Sequence, residues 1–145
     1  MTSSVVIDAS LAVFSVLNTP HSAAAARAMD HLAQRGDVPF APGLWWFEVT
    51  SVIHAYRFAN LITEATAYQA LELLTAGLGV QQVDVPIRSA FDWATRLRQK
   101  AAYDGFYLAA AEQLGAELWT ADQALVNNAQ QTGASWVHWM GEIEG

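Results

Sequence analysis

Cysteine is absent from the 145 residues. Disulfides, thiolate nucleophiles and cysteine-based zinc sites are thereby excluded. Cations are scarce: seven Lys and Arg stand against fourteen Asp and Glu, a formal net charge of −7. That balance argues against broad phosphate-driven binding of nucleic acid. Any such chemistry would need metal ions, a local basic patch or a brief encounter. No apolar run approaches ~20 residues, and no basic stretch followed by a long apolar one opens the chain. A soluble, cytoplasmic protein without a membrane partner is the expectation. Charged residues make up only 14% and hydrophobic ones 53%, which excludes disorder and calls for a large core. The length suits one domain over residues 1–145. Six Trp, including the pair Trp45-Trp46, exceed what such a core needs, and some are expected at an interface.

What is present is an alternation of short strand-like runs with helical patterns. The runs over 4–8, 38–41, 79–85, 116–120 and 135–140 read as strands. Helices are expected over 19–36, 43–60, 63–77, 86–100, 104–115 and 121–133. Pro20 and Pro86 stand near helix starts, and Gly36, Gly77, Gly115 and Gly133 act as stops. No repeat or linker interrupts the series. Strands separated by helices imply right-handed crossovers, and hence an α/β fold with a parallel sheet covered on both faces. Functional sites in such sheets lie at the carboxyl ends of the strands, near the switch in strand order.

Four carboxylates stand where their presence needs a reason. Asp8 ends the apolar run Val5-Val6-Ile7 and Asp122 directly follows the strand-like run ending at Thr120. Asp104 opens a helical stretch. Each of the three also suits a helix N-cap. Glu48 is harder to explain, because Leu44, Val52 and Ala55 surround it at helical spacing on a face that should meet the sheet. A Glu there is rarely buried without a partner. Hard ions such as Mg²⁺ or Mn²⁺ take carboxylate, water and phosphate oxygens, and several carboxylates crowded together would otherwise repel one another. Such an ion activates water and polarises a phosphoryl group. Ser10 and Thr120 each lie two residues from a strand-end Asp, where a hydroxyl either orients a carboxylate or water or caps a helix. The four His show no H-x-x-x-H spacing, and no Gly-rich phosphate loop follows the first strand. Arg96 and Lys100 share a helical face just before Asp104, a solvated face or one that steers a phosphate backbone.

The ordered set resembles the PIN-domain family, in particular the VapC-type toxins of bacterial toxin–antitoxin pairs. "VVIDASLAVFSVL" is similar to that family's opening strand, and "APGLWWFEVTSVI" to the helix that brings in its Glu. "AAYDGFYLAAAEQLGAELWTADQAL" is similar to its Asp-initiated helix followed by T-x-D after a strand. The resemblance implies a three-layer α/β/α fold with a five-stranded parallel sheet. It also implies a Mg²⁺- or Mn²⁺-dependent ribonuclease whose metal ligands match Asp8, Glu48, Asp104 and Asp122, with Thr120 as a further site residue. Asp8, Glu48 and Asp104 are the expected main anchors, with Asp122 an additional or water-mediated ligand. An RNA substrate, a cognate antitoxin and a homodimer follow as expected partners. Many relatives carry another acid just after T-x-D, where this chain has Gln123, Ala124 and Leu125.

Other readings have less behind them. A haloacid-type phosphatase would need a second acid two residues after Asp8, where Ser10 stands. A receiver-like domain would need an acidic pair upstream, and "MTSSVVI" holds none. The remaining alternative is a catalytically weak or inactive PIN scaffold that binds partners, since a fold alone does not establish activity.

Overall fold

The computed structural model describes residues 3–145. Five parallel strands form one sheet in the order β3-β2-β1-β4-β5. They are β1 (Ser4–Ile7), β2 (Val38–Pro42), β3 (Gln81–Val83), β4 (Glu117–Thr120) and β5 (Val137–Trp139). The central strands β1 and β4 are covered on both sides, which is why Val5, Val6, Ile7, Leu118 and Trp119 run without polar alternation.

Seven helices connect them among the described residues: α1 (Ala9–Val16), α2 (Ser22–Gln34), α3 (Leu44–Phe58), α4 (Glu64–Glu72), α5 (Ile87–Leu97), α6 (Tyr103–Leu114) and α7 (Gln123–Gln131). Helix α4 runs on into one wider π-type turn over Leu73–Gly77. Right-handed crossovers set α1–α4 on one face of the sheet and α5–α7 on the other. The contacts agree: α1 meets α2 and α3, α3 meets α4, and α5 meets α6. The chain winds from β1 outward to β3, then returns past β1 to β4 and β5. Strand order therefore reverses between β1 and β4, and the crevice at their carboxyl ends is where a ligand is best received.

Several expectations need correction. Strand β1 stops at Ile7, and Asp8 caps α1 as its cap reading allowed, although no helix over α1 stood among the expected ones. Its residues Ala9, Leu11, Ala12 and Val13 are all buried, so no amphipathic period marks it. The core face of α3 is Trp45, Val49 and Ile53, with Glu48 half-buried on its flank beside Leu44 and Val52, while Ala55 is exposed. Helix α6 begins at Tyr103, so Asp104 lies inside the first turn and does not cap it. The interface expectation for Trp stands open: Trp46, Trp136 and Trp139 are half-buried, while the exposed aromatics are Phe47, Phe58, Tyr68, Phe91 and Tyr103. Arg98 ends α5 in the left-handed region, at φ 56° and ψ 37°, a backbone that costs a side-chain-bearing residue about 1–2 kcal/mol. No helix among the described residues is long and apolar enough to cross a membrane.

Candidate active site

Parallel pairing of β1 with β4 puts Ile7 opposite Trp119, and the Asp8 N–H donates to the Trp119 carbonyl at 3.2 Å. Asp8 and Thr120 thus emerge side by side from adjacent strand ends. Asp8 is 7% exposed and Thr120 is fully buried. The Thr120 hydroxyl donates to Asp8 Oδ2 at 2.5 Å and accepts from the Asp122 N–H at 3.0 Å. The Ser10 hydroxyl does the same from the other side, donating to Asp8 Oδ1 at 2.8 Å and accepting from the Ala121 N–H at 3.3 Å. Two hydroxyls therefore stitch the loop after β1 to the loop after β4. Capping falls to the aspartates: Asp8 Oδ1 accepts from Leu11 N–H and Asp122 Oδ1 from Leu125 N–H, both at 3.1 Å. Asp8 is a helix cap, and capping uses only part of the acceptor capacity of its carboxylate.

The other two acids reach the same crevice from opposite faces of the sheet. Glu48 comes from α3, Asp104 from α6. One turn after Asp104, on the same face of α6, Tyr107 donates its hydroxyl to Glu48 Oε1 at 2.5 Å. Gln99, in the loop before α6, donates to Asp104 Oδ2 at 2.8 Å. Glu48, Gln99, Ala101, Tyr103 and Asp104 line a depression of about 240 Å³. Sequence reasoning named neither Tyr107 nor Gln99. The one available signal was the i, i+3 spacing of Tyr107 from Asp104.

Charge repulsion links Asp104 to each of the other three acids. Burial pushes the Asp8 carboxyl up to about 6, with Asp104 adding to it and the Thr120, Leu11 and Ser10 donors opposing. Burial and then the charge of Asp104 hold Glu48 above the usual carboxylate range, against the Tyr107 donor. Asp104 is raised by burial and by Asp122, against the Gln99 donor. Asp104 is the hub: it feels or affects each of the other three. Burial, and then Glu48, drive the Tyr107 hydroxyl upward, so it stays protonated and remains a donor.

Residues 5–130 match the PIN domain family. The chain belongs to that family. PIN domains are generally nucleases and typically use a divalent metal. The crystal structure of PAE2754 from Pyrobaculum aerophilum is similar in fold, with a TM-score of 0.66 at 18% identity, over 98% of this chain and 94% of that one. No curated protein sequence matches the chain.

The donor chemistry of this PIN domain fits a hard cation. All four side chains offer carboxylate oxygen, the preference of Mg²⁺ and Mn²⁺. Among the described residues no protein hydrogen bond engages Glu48 Oε2, Asp104 Oδ1 or Asp122 Oδ2. Among those same residues no three acids or histidines are placed to hold one ion together. Mg²⁺ commonly takes one or two carboxylates and keeps several waters, so a sparse donor set suits it.

Proposed function

We propose that this PIN domain is a Mg²⁺- or Mn²⁺-dependent endoribonuclease, the toxin of a type II toxin–antitoxin pair. The single observation that carries the catalytic reading is a buried carboxylate, Asp8, held by Thr120 and Ser10 at the β1–β4 switch point. Asp8, Glu48 and Asp104 would anchor the metal, one or two of them directly and the rest through its bound waters, with Asp122 as an additional or water-mediated ligand. A divalent ion there would polarise a phosphodiester oxygen and acidify a water for in-line attack. The protein's own part is positioning. Thr120 and Ser10 fix both oxygens of Asp8, Tyr107 fixes one of Glu48, and Gln99 fixes one of Asp104. Such supports hold ligand orientation as the ligands themselves hold the ion.

RNA cleavage is expected with Mg²⁺ or Mn²⁺ and none with EDTA. Asp8→Asn and Asp104→Asn should each lower the rate by at least about 100-fold, the several kcal/mol that metal-assisted charge stabilisation supplies. Retention of circular dichroism and a cooperative melt would show that both variants fold. Wild-type rates in both variants would refute the site. A scaffold that only binds partners has less in its favour, because the half-buried Glu48 and Asp104, which cap no helix, serve no purpose in it.

A protein partner suits the opposite end of α3. Ile53, Phe58, Ala67, Tyr68 and Leu71 line a depression of about 530 Å³ between α3 and α4, and Phe58, Leu61 and Tyr68 are exposed. An antitoxin helix would lay its apolar face there, with a following Arg or Lys directed at the acids. A homodimer would cover further exposed apolar surface. A complex in which the inhibitory tail lies far from Glu48 and Asp104 would refute this mode of inhibition.

A further inference from the structure

The seven cations are unevenly spread. Arg88, Arg96, Arg98 and Lys100 fall within thirteen residues that hold one acid, Asp92. The rest of the chain has three cations and thirteen acids. This basic segment is α5 with the loop that leads to Asp104, and its Gln99 is hydrogen-bonded to Asp104. Two cations elsewhere are committed: Arg35 to Asp37 and Glu117, and Arg27 to the Ile143 carbonyl. No ion pair among the described residues engages the four of the basic segment.

Arg96, Arg98, Asn128, Gln131 and Thr132 line a cavity of about 430 Å³. No acid stands in its wall. The Arg96 guanidinium lies 3.8 Å from the centroid of the Trp93 ring. Stacking fixes the plane of the guanidinium while its N–H edge stays available to an oxyanion. Arg98 holds a left-handed backbone, φ 56°, which glycine would adopt without strain. Arg98 is exposed and lines the cavity from this left-handed turn. Asn128 Nδ2 donates to the Leu97 carbonyl at 2.9 Å, so α7 is tied to the end of α5 and the cavity walls are fixed. Helix α7 is capped by Asp122. At 1.5 Å per residue, Asn128 lies about 9 Å along the helix from that acid.

We propose that this cavity is a phosphate subsite that holds the backbone of a single-stranded nucleic acid beside the acidic crevice. The proposal rests on the nuclease reading and deepens it. A chain of net charge −7 with four acids at its reaction site repels a polyanion, and the one basic surface segment leads directly into that site. Contacts of this kind fix the position of a strand without reading its bases. The subsite therefore supplies affinity and register, and sequence preference would have to come from elsewhere.

Fluorescence anisotropy of a labelled single-stranded oligoribonucleotide with the full chain in EDTA, titrated with salt, tests it. Arg96→Ala and Arg98→Gly are each expected to weaken binding by about 2–5-fold, the upper range of one accessible ion pair. Each should also flatten the log–log salt dependence by about 0.7. Arg57→Ala, on α3, should change neither. Arg98→Gly relieves backbone strain, so its melting temperature should equal or exceed wild type, and lost binding could not then be attributed to unfolding. Unchanged affinity and slope in both variants would overturn the subsite. Abolished cleavage in Asp104→Asn alongside that result would leave the nuclease reading standing. No binding by wild type in EDTA would also overturn it, since the cavity needs no metal. Competition by inorganic phosphate as potent per phosphate as the oligonucleotide would mark a free-anion site and overturn the backbone assignment.

Discussion

Tyr107 is 2% exposed, and its hydroxyl donates to Glu48 across a sequence separation of 59 residues. Tyr107→Phe removes the donor and leaves the ring in place. Because the acceptor is a half-buried carboxylate, the loss should destabilise the fold by about 1–2 kcal/mol. Glu48 would then be free to turn, and cleavage should fall by about 10–100-fold, as for lost supports of metal ligands. Chemical denaturation and a cleavage assay on the same preparation check both figures. Asp8 gives a pH signature. Its folded carboxyl titrates near 6 because of burial, against 3.8 when exposed. The folded protein therefore binds this proton more tightly than the unfolded chain. The contribution is fully present below about pH 4 and is lost as pH rises through 6. It amounts to on the order of 3 kcal/mol across that window. Stability of the metal-free protein, measured by urea unfolding from pH 4 to 7, should carry that downward slope. Asp8→Asn should keep only the shallower slope that Glu48 and Asp104, also raised in the fold, contribute. Equal slopes in the two proteins would mean that Asp8 is not the group that titrates.

At the scale of elements, the site depends on how closely α5 and α6 approach. A Cβ on Gly105 would lie 2.2 Å from the Ala90 carbonyl oxygen and 3.1 Å from the Ala94 nitrogen. The two helices meet backbone to backbone. Helix propensity alone would favour Gly105→Ala by about 1 kcal/mol. Steric overlap with a backbone atom outweighs it, so a net loss of about 2–3 kcal/mol is expected. Asp104 precedes Gly105, and a shift of about 1 Å there is enough to cost cleavage on the order of 100-fold. A more stable variant would show that α5 can move away freely. The same close packing explains what could be read in advance. Asp8 and Asp122 announce themselves because each follows an apolar run that must be a strand, and strand ends are where open parallel sheets bind ligands. Glu48 could be singled out as a charge among apolar neighbours, although its own face of α3 was misjudged. Tyr107 and Gln99 gave no comparable sign, since an aromatic on a helix is ordinarily core and a loop glutamine ordinarily solvated. The role of Tyr107 arises where side chains from α3 and α6, on opposite faces of the sheet, meet past the strand ends, a pairing 59 residues apart that no local pattern encodes. Helix α1 was hidden for a related reason: buried on most of its sides, it lacks the polar stripe that identifies a helix.

For the whole molecule, the excess of acid over base makes cation binding and stability one problem. Four carboxylates brought to one crevice by four different elements raise the free energy of the metal-free fold, because burial and mutual repulsion act in the same direction on Asp8, Glu48 and Asp104. An ion that binds only the folded state repays this through mass action. With a Kd of about 1 mM, roughly 10 mM Mg²⁺ would add about 1.4 kcal/mol, or about 5 °C in Tm for a chain of this length. Asp8→Asn separates this from a general salt effect. With the buried charge removed, the metal-free variant should melt at or above wild type, while its response to Mg²⁺ or Mn²⁺ should nearly vanish. Screening of the net charge of −7 would instead stabilise both proteins alike. Melts of the two in EDTA and in metal at matched ionic strength therefore distinguish a bound ion from an ionic atmosphere without any RNA present. Equal responses would leave Asp8 as a helix cap supported by two hydroxyls, and the search for ligands would move to Glu48, Asp104 and Asp122.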